Sequence, residues 1–185
     1  MYTGDRFMKS ATLSAEMPSA SLTELRIDET TWKGGTPERR HEWRLAINEI
    51  LSEGSFELEV SVTGDGPFHG LVRLEPGKVR FDLLDAQGKP LASSEIPKQE
   101  IEPLVKEYMQ TIVEMTKLGV GTNSPRLEAL DIAKRITHDE AGEVIESRLR
   151  GFKPDHPTAR RFFTLLVTLY HDTTKLAAPP HRALY

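Results

Sequence analysis

The chain has 185 residues, of which 38% are hydrophobic and 28% charged, a balance that indicates a globular protein with its own core and excludes wholesale disorder. Its net charge of −4 argues against non-specific nucleic-acid binding, which depends on neutralising phosphates, and the absence of cysteine excludes disulfides and thiolate chemistry. No segment approaches the roughly 20 apolar residues of a membrane span, so we expect a cytoplasmic protein that does not enter the membrane.

The N-terminal third of the chain predicts a leader, a strand and a helix. Residues 1–20 mix small, polar and methionine side chains without a period, which is typical of a flexible leader. A short strand follows at about residues 22–27. Thr36 and Pro37 then form a helix start, and apolar residues at three- and four-residue steps predict a helix over about 37–52 that Gly54 ends.

The middle of the chain predicts antiparallel strands. From Phe56 to Val62 apolar and polar residues alternate, which is the clearest strand pattern in the sequence. Three further strands are expected at about 71–74, 79–83 and 91–96, with short turns between them. The short links predict a meander that packs one face on the core.

The C-terminal half predicts three helices. The first begins near residue 98, where Pro103 is tolerated only in the first turn. The second opens at Ser124-Pro125 and is predicted to break or restart at 138–142. The third contains the apolar run from Thr158 to His171, which we expect to be a buried helix against which the rest of the chain packs.

Strands that are separated from helices along the chain predict an α+β fold. We expect an antiparallel β-meander of three to five strands with about four helices packed on it. The leader at 1–20 and a flexible tail at 175–185 leave a single domain at 21–174.

Three blocks of the sequence carry a resemblance to a known family. They are His41 to Phe56, Leu127 to Ile132 with the later His138-Asp139-Glu140, and TARRFFTL from Thr158 to Leu165. Together they resemble a bacterial group known as uncharacterised protein family 0262, over about residues 22–173. Trp43 departs from the first block, where the family pattern runs His-Glu-Arg, and both chain ends are additional. The resemblance implies a compact cytoplasmic bacterial protein and carries over no activity and no site residue.

Arg160 and Arg161 form the first candidate site, at the start of the last helix. Positive charge is unfavourable at a helix N-terminus, and adjacent helical residues point about 100° apart. One interpretation is an anion site in which the guanidinium groups and the helix end hold a phosphate or carboxylate. The other is that one arginine pairs with an acid on the helix near residue 98 or on the helix that opens at Ser124-Pro125 and locks the last helix in place, while the other arginine is solvated.

A second cluster combines His138, Asp139 and Glu140 with His171 and Asp172. If the fold brings these residues together, two histidines and a carboxylate suit iron, manganese or zinc. Histidines and acids near helix ends are also ordinary capping residues. We therefore predict no metal site and no cofactor, and the sequence leaves open whether these residues converge.

The sequence shows no catalytic motif, and whether the protein is an enzyme stays open. The leading hypothesis is a non-catalytic protein-interaction or regulatory module with an exposed apolar or mixed patch, on the last helix or a sheet edge, for an unknown protein partner. The alternative is a small-molecule binder or enzyme that holds an anion at Arg160 and Arg161. A homodimer through an exposed strand or the helix near residue 98 is compatible with the sequence, and nucleic acid is disfavoured by charge.

Overall fold

The computed structural model describes residues 19–64, 66–118 and 125–176. Their strands are β1 (Ser19–Ala20), β2 (Leu22–Ile27), β3 (Phe56–Leu58), β4 (Phe68–Glu75), β5 (Lys78–Leu84), β6 (Pro90–Pro97) and β7 (Phe152–Pro154). Their helices are α1 (Glu29–Gly34), α2 (Pro37–Glu53), α3 (Lys98–Leu118), α4 (Pro125–Arg148), α5 (His156–Tyr170) and a 3-10 turn at Thr173–Lys175. The predicted leader lies outside the described residues except for β1, and the predicted tail lies outside them beyond Leu176.

The larger sheet has four strands in the order β2-β4-β5-β6. Strands β4, β5 and β6 form the predicted antiparallel meander, and Gly77, with a φ of 80°, makes the tight turn between the first two. Strand β2 lies parallel to β4 at the edge. The predicted α+β class is therefore confirmed, but the sheet is mixed and is not a pure meander.

The alternating segment that begins at Phe56 does not join the larger sheet. Only β3 is extended, and it pairs with β1 and β7 in a separate three-stranded sheet. After Leu58 the chain turns, with the Val62 amide donating to the Glu59 carbonyl at 2.8 Å, and Val60 is 86% exposed. The prediction of a strand to residue 62 was wrong. Phe56, whose ring packs edge-on against Phe152, is buried, whereas Leu58 and Val62 are only partly buried and Val60 meets solvent.

The start of α2 agrees with the sequence. The Thr36 hydroxyl accepts a hydrogen bond from the Arg39 amide at 3.3 Å, and Pro37 occupies the first helical position. In α3 the chain stays helical through Pro103, the sixth residue of the helix. The expectation that this proline falls in the first turn was wrong, and the Gln99 carbonyl there lacks its amide donor.

Helix α4 is continuous, so the predicted break at 138–142 was wrong. Gly142 serves packing instead of ending the helix. A Cβ atom at this position would lie 2.9 Å from Cε1 of His156 and 3.3 Å from Cγ of Arg160, both on α5. The glycine therefore lets two helices approach closely at the point where the sequence indicated a stop.

Helix α5 is the most buried helix of the described structure, as predicted: ten of its 15 residues are buried. It lies between α2 and α4 and over the larger sheet, where Phe162 packs edge-on against Phe81 of β5 at 5.1 Å. Two α2 side chains bond its C-terminal carbonyls, Trp43 at 2.9 Å to Thr168 and Arg39 at 2.9 Å to Leu169. Within the described residues, no helix has the length and apolar content of a membrane span.

We predict that Gly70→Ala destabilises the protein. A Cβ at Gly70 of β4 would lie 2.7 Å from Cδ1 of Leu25 and 3.0 Å from Cζ of Phe81, both of them buried. Overpacking of this kind should lower the free energy of unfolding by about 1–3 kcal/mol, measured by urea denaturation. Gly34→Ala is the matched control, since nothing lies within 4 Å of its added methyl group. Equal denaturation midpoints for the two variants would contradict the packing of β2 and β5 around Gly70.

Candidate functional site

Arg160 and Arg161 lie on opposite sides of α5 and do not converge. Nη1 of Arg160 lies 3.2 Å from Oδ1 of Asp139 on α4, and Arg161 pairs with Glu53 at the end of α2. Each guanidinium therefore ties α5 to a different neighbouring helix, whereas the locking interpretation expects one of the two arginines to be solvated. The anion site stays a prediction, and an anion would have to compete with these two carboxylates.

His156 completes a polar seam between α4 and α5. Its Nδ1 lies 2.5 Å from Oε1 of Glu146, and its Nε2 lies 3.3 Å from Oδ1 of Asp139, the oxygen that also contacts Arg160. Asp139, Gly142 and Glu146 recur at helical spacing along one face of α4. The hydrogen bond that His156 donates to the Glu146 carboxylate, more than any other interaction, raises the pKa of His156. The seam therefore places a guanidinium and an imidazole whose protonated form is favoured against two carboxylates.

A buried cluster lies behind this seam, between α3, α4 and α5. His138 and Tyr108 are almost completely buried, and their rings pack edge-on with centroids 5.1 Å apart. Nε2 of His138 lies 3.4 Å from the Thr164 hydroxyl, whereas its Nδ1 and the Tyr108 hydroxyl find no partner among the described residues. Burial lowers the pKa of His138 to about 3, with Arg160 adding to the effect, and burial raises the pKa of Tyr108. His138 is therefore a neutral side chain of the core.

The second candidate cluster, whose convergence the sequence left open, does not form a group of metal ligands. His138 is buried, whereas His171 ends α5, donating its amide to the Val167 carbonyl at 2.9 Å, and Asp172 caps the following turn through the Thr174 amide. Among the described residues, no group of three or more histidines and acids could hold a metal ion. His171 instead lines a shallow groove of about 580 Å³ on α3, with Lys106, Met109, Gln110, Val113, Glu114 and Lys117.

A crevice of about 300 Å³ opens beside His156. Three of its lining residues are acids and one is a lysine. The full lining is Ser55, Phe56, Glu57, Glu146, Lys153, Pro154, Asp155 and His156. The Asp155 carboxylate accepts hydrogen bonds from the Thr158 amide at 2.9 Å and the Ser55 hydroxyl at 3.2 Å. Because these bonds cap α5 and tie it to β3, the polar groups of the crevice position the helix. The excess of acids in the lining also makes the crevice a poor match for an anion.

The solvent-facing side of α4 carries an apolar stripe, which we call the outer face of α4. It consists of Ala129, Ile132, Ala133 and Ile136, at the spacing i, i+3, i+4, i+7 of one helix face. Ile132 is 46% exposed and Ile136 is 51% exposed. Apolar residues of a helix in a globular protein are expected to face the core, but these two isoleucines face solvent. Ala129 and Ala133 complete the stripe, but alanine is too weak a hydrophobic signal for the pattern to stand out.

The comparisons agree on one family. The model of the Uncharacterised protein family (UPF0262) matches residues 19–172. A UPF0262 protein of Rhodospirillum rubrum is 32% identical over 151 residues, which cover 80% of this chain and 91% of the relative. A UPF0262 protein of Methylobacterium radiotolerans is 30% identical over 151 residues (80% and 92%), and one of Brucella canis is 28% identical over 160 residues (85% and 98%). No solved structure matches the chain.

We predict that His138 and His156 affect acid stability with opposite sign. The folded pKa of His138 is about 3 and its unfolded value about 6.5, so between these values the unfolded chain binds the extra proton and stability falls as the pH falls. Between pH 7 and 4.5 the unmodified chain should therefore lose on the order of 2 kcal/mol more unfolding free energy than the variant His138→Leu.

His156→Leu is the contrasting variant. Its folded pKa is raised, so its stabilisation is fully present below the unfolded pKa and disappears as the pH rises through the folded value. This substitution should therefore destabilise more at pH 5 than at pH 9, as measured by urea denaturation at each pH. If the unfolding free energy depended on pH in the same way in both variants and in the unmodified chain, the lowered pKa of His138 and the raised pKa of His156 would be contradicted.

Proposed function

The chain belongs to the Uncharacterised protein family (UPF0262), and we propose that it is a non-catalytic protein-interaction module that binds its partner through the outer face of α4. The observation that carries the proposal is the exposure of Ile132 and Ile136 side by side on one helix face. A helix that carries apolar anchors at i, i+3, i+4 and i+7 lays them into a hydrophobic groove of its partner.

The distribution of exposed apolar side chains supports this choice of surface. Four large hydrophobic residues of the described part are exposed, and two of them lie on the outer face of α4. Val60 and Val113 belong to a turn and to α3. A single exposed apolar residue needs no explanation, whereas a contiguous stripe is typical of a binding surface.

The charged side chains at the start of α5 support a non-catalytic role. Arg160 and Arg161 pair with acids of two other helices, and His156 is held between Glu146 and Asp139. These ion pairs join α5 to its neighbouring helices, and each charged group is already engaged with a charged group of the protein itself. The sequence hypothesis had placed the binding patch on the last helix or a sheet edge, but α5 is buried, and the proposed surface therefore moves to α4.

We predict that a photo-crosslinking amino acid at position 136 captures the partner in the producing bacterium. A single adduct of defined mass is expected, because the side chain at this position faces the partner in the proposed complex. Ile132→Glu should abolish the adduct, since a carboxylate would be desolvated there, while changing the unfolding free energy by no more than about 0.5 kcal/mol. Mass spectrometry identifies the adduct.

Position 60 is the matched control for this experiment. Val60 is 86% exposed and lies outside the proposed surface, so the same crosslinker there should give no adduct of defined mass. The proposal would be contradicted by equal yields at 60 and 136, or by an adduct at 136 that Ile132→Glu leaves intact.

The alternative function is binding of a small anion at Arg160. It is favoured by one observation: Arg160 and His156, whose pKa is raised, both contact the same carboxylate oxygen of Asp139. A phosphate or carboxylate ligand would take the place of this oxygen.

This alternative predicts that inorganic phosphate raises the melting temperature. Occupancy at a hundred times the dissociation constant adds about 2.7 kcal/mol of stability, which a thermal-shift assay detects. Arg160→Ala should remove the shift, and Arg161→Ala, on the other side of α5, should keep it if the site is at the seam. If phosphate leaves the melting temperature unchanged, phosphate is not the ligand of this site.

A further inference from the structure

We propose that a cationic patch on α1 and α2 binds an acidic segment of a partner protein. The patch consists of Trp32, Arg40 and Arg44, and we call it the arginine patch. Two guanidinium groups meet there over one tryptophan ring. Helix α5 lies between α2 and α4, so the arginine patch is separate from the outer face of α4, and binding there does not depend on the proposed function.

The arginines of α2 differ from the other arginines of the described structure. Eight of the twelve described arginines form an ion pair with an aspartate or glutamate. Among the described residues Arg39, Arg40, Arg44 and Arg150 form no such pair, and three of these four lie within two turns of α2. Arg39 serves the fold, since its guanidinium donates to the Leu169 carbonyl at 2.9 Å. Arg40 and Arg44 thus present positive charge that the described acids leave unneutralised, on a chain whose net charge is −4.

Both guanidinium groups of the arginine patch are held in place by Trp32. The guanidinium carbon of Arg44 lies 5.2 Å from the centroid of the Trp32 ring, and that of Arg40 lies 5.9 Å from it. Arg40 also donates from Nε to the Trp32 carbonyl at 2.9 Å and from Nη2 to the Lys33 carbonyl at 3.0 Å. Trp32 packs in turn against the buried Trp43, with ring centroids 5.9 Å apart. The patch is therefore organised before a partner arrives, which lowers the entropic cost of binding.

This arrangement is electrostatically unfavourable in the single chain. Arg40 and Arg44 are four residues apart on one helix, and like charges at this spacing destabilise a helix. Glu29 of α1 does not relieve the repulsion, because it pairs with Lys33 at 2.6 Å. Carboxylates supplied by a partner would neutralise both arginines at once.

The free donors of the arginine patch suit carboxylates. Among the described residues Arg44 makes no hydrogen bond, and Arg40 keeps Nη1 free, so each guanidinium can still donate to an anion. A guanidinium fork binds a carboxylate or a phosphate through paired hydrogen bonds. Residues four apart on a helix are about 6 Å apart along its axis, a separation that two acids one turn apart on a partner helix also have.

Two further observations favour a protein segment over other anions. Arginine and tryptophan are the residues that most often dominate the binding energy of protein interfaces. The groove on α3 and the crevice beside His156 both lie away from the arginine patch, so neither would enclose a small ligand there. A nucleic acid is a poorer match, because its phosphates extend far beyond two arginines and would face an acidic chain.

Tryptophan fluorescence of the full chain tests the proposal, with poly-L-glutamate as the probe at low ionic strength. The chain has two tryptophans, of which Trp43 is 1% exposed and Trp32 is half-buried, so acrylamide reaches chiefly Trp32. Poly-L-glutamate should protect Trp32 from acrylamide quenching in a saturable manner, because the bound carboxylates cover the arginines that flank the ring.

Arg44→Gln should weaken this binding about tenfold or more, since it removes a charged hydrogen-bonding group from the patch. Arg44→Lys keeps the charge but lacks the planar fork, so it should recover only part of the affinity. Arg150→Gln is the matched control, because it makes the same change in net charge at another arginine that pairs with no described acid. It should bind poly-L-glutamate like the unmodified chain. Circular dichroism checks that the three variants are folded.

Three results would overturn the proposal. Poly-L-glutamate that leaves the quenching of Trp32 unchanged would show that the patch does not bind carboxylates. Equal weakening by Arg44→Gln and Arg150→Gln would reduce the binding to net charge. Tighter binding of an oligothymidylate than of poly-L-glutamate would make the patch a phosphate site instead. Crosslinking at position 136 does not involve the arginine patch, so it decides the proposed function separately.

Discussion

The burial of α5 is the constraint on which the rest of the structure depends. A helix with ten buried residues needs partners on nearly every side, and the larger sheet, α2 and α4 supply them. Its two ends are held by specific polar contacts: Asp155 caps the first turn, and Trp43 and Arg39 bond the last carbonyls. The polar groups at the edge of this core, Arg160 and Arg161, then fasten the helices on either side.

The parts of the fold that follow from local chemistry could be predicted from the sequence. The start of α2 at Thr36-Pro37, the meander from β4 to β6 and the burial of α5 all rest on caps, turns or apolar runs within a few residues. The parts that failed depend on distant contacts. Strand β2 pairs with β4, more than 40 residues later, and the alternation after Phe56 could not reveal that Val60 would meet no core. Gly142 was wrongly taken for a helix break because a glycine is needed there for the close approach of α5, which the sequence does not show.

The same division applies to the site. Helix geometry alone implied that Arg160 and Arg161 diverge, but their partners, Glu53 and Asp139, required the fold. His156 was missed because its carboxylates lie 10 and 17 residues earlier on another helix. The one available signal was the face of α4 that carries Asp139, Gly142 and Glu146, whose small central residue leaves room for a side chain from a neighbour. The burial of His138 could not be predicted either, because its neighbours in the sequence are polar while its environment in the fold is the core.

Along part of helix α4 the usual arrangement of polar and apolar side chains is inverted. Its inner side carries His138 and Lys134 into buried positions, while Ile132 and Ile136 face solvent. In a helix that serves only its own fold, apolar residues are expected on the inner side, because burial there is the main source of helix stability in proteins. The exposed isoleucines contribute little to the single chain, and β-branched residues are poorer helix formers than the straight-chain residues that commonly occupy exposed positions. A second surface that covers the stripe would recover the free energy of their burial.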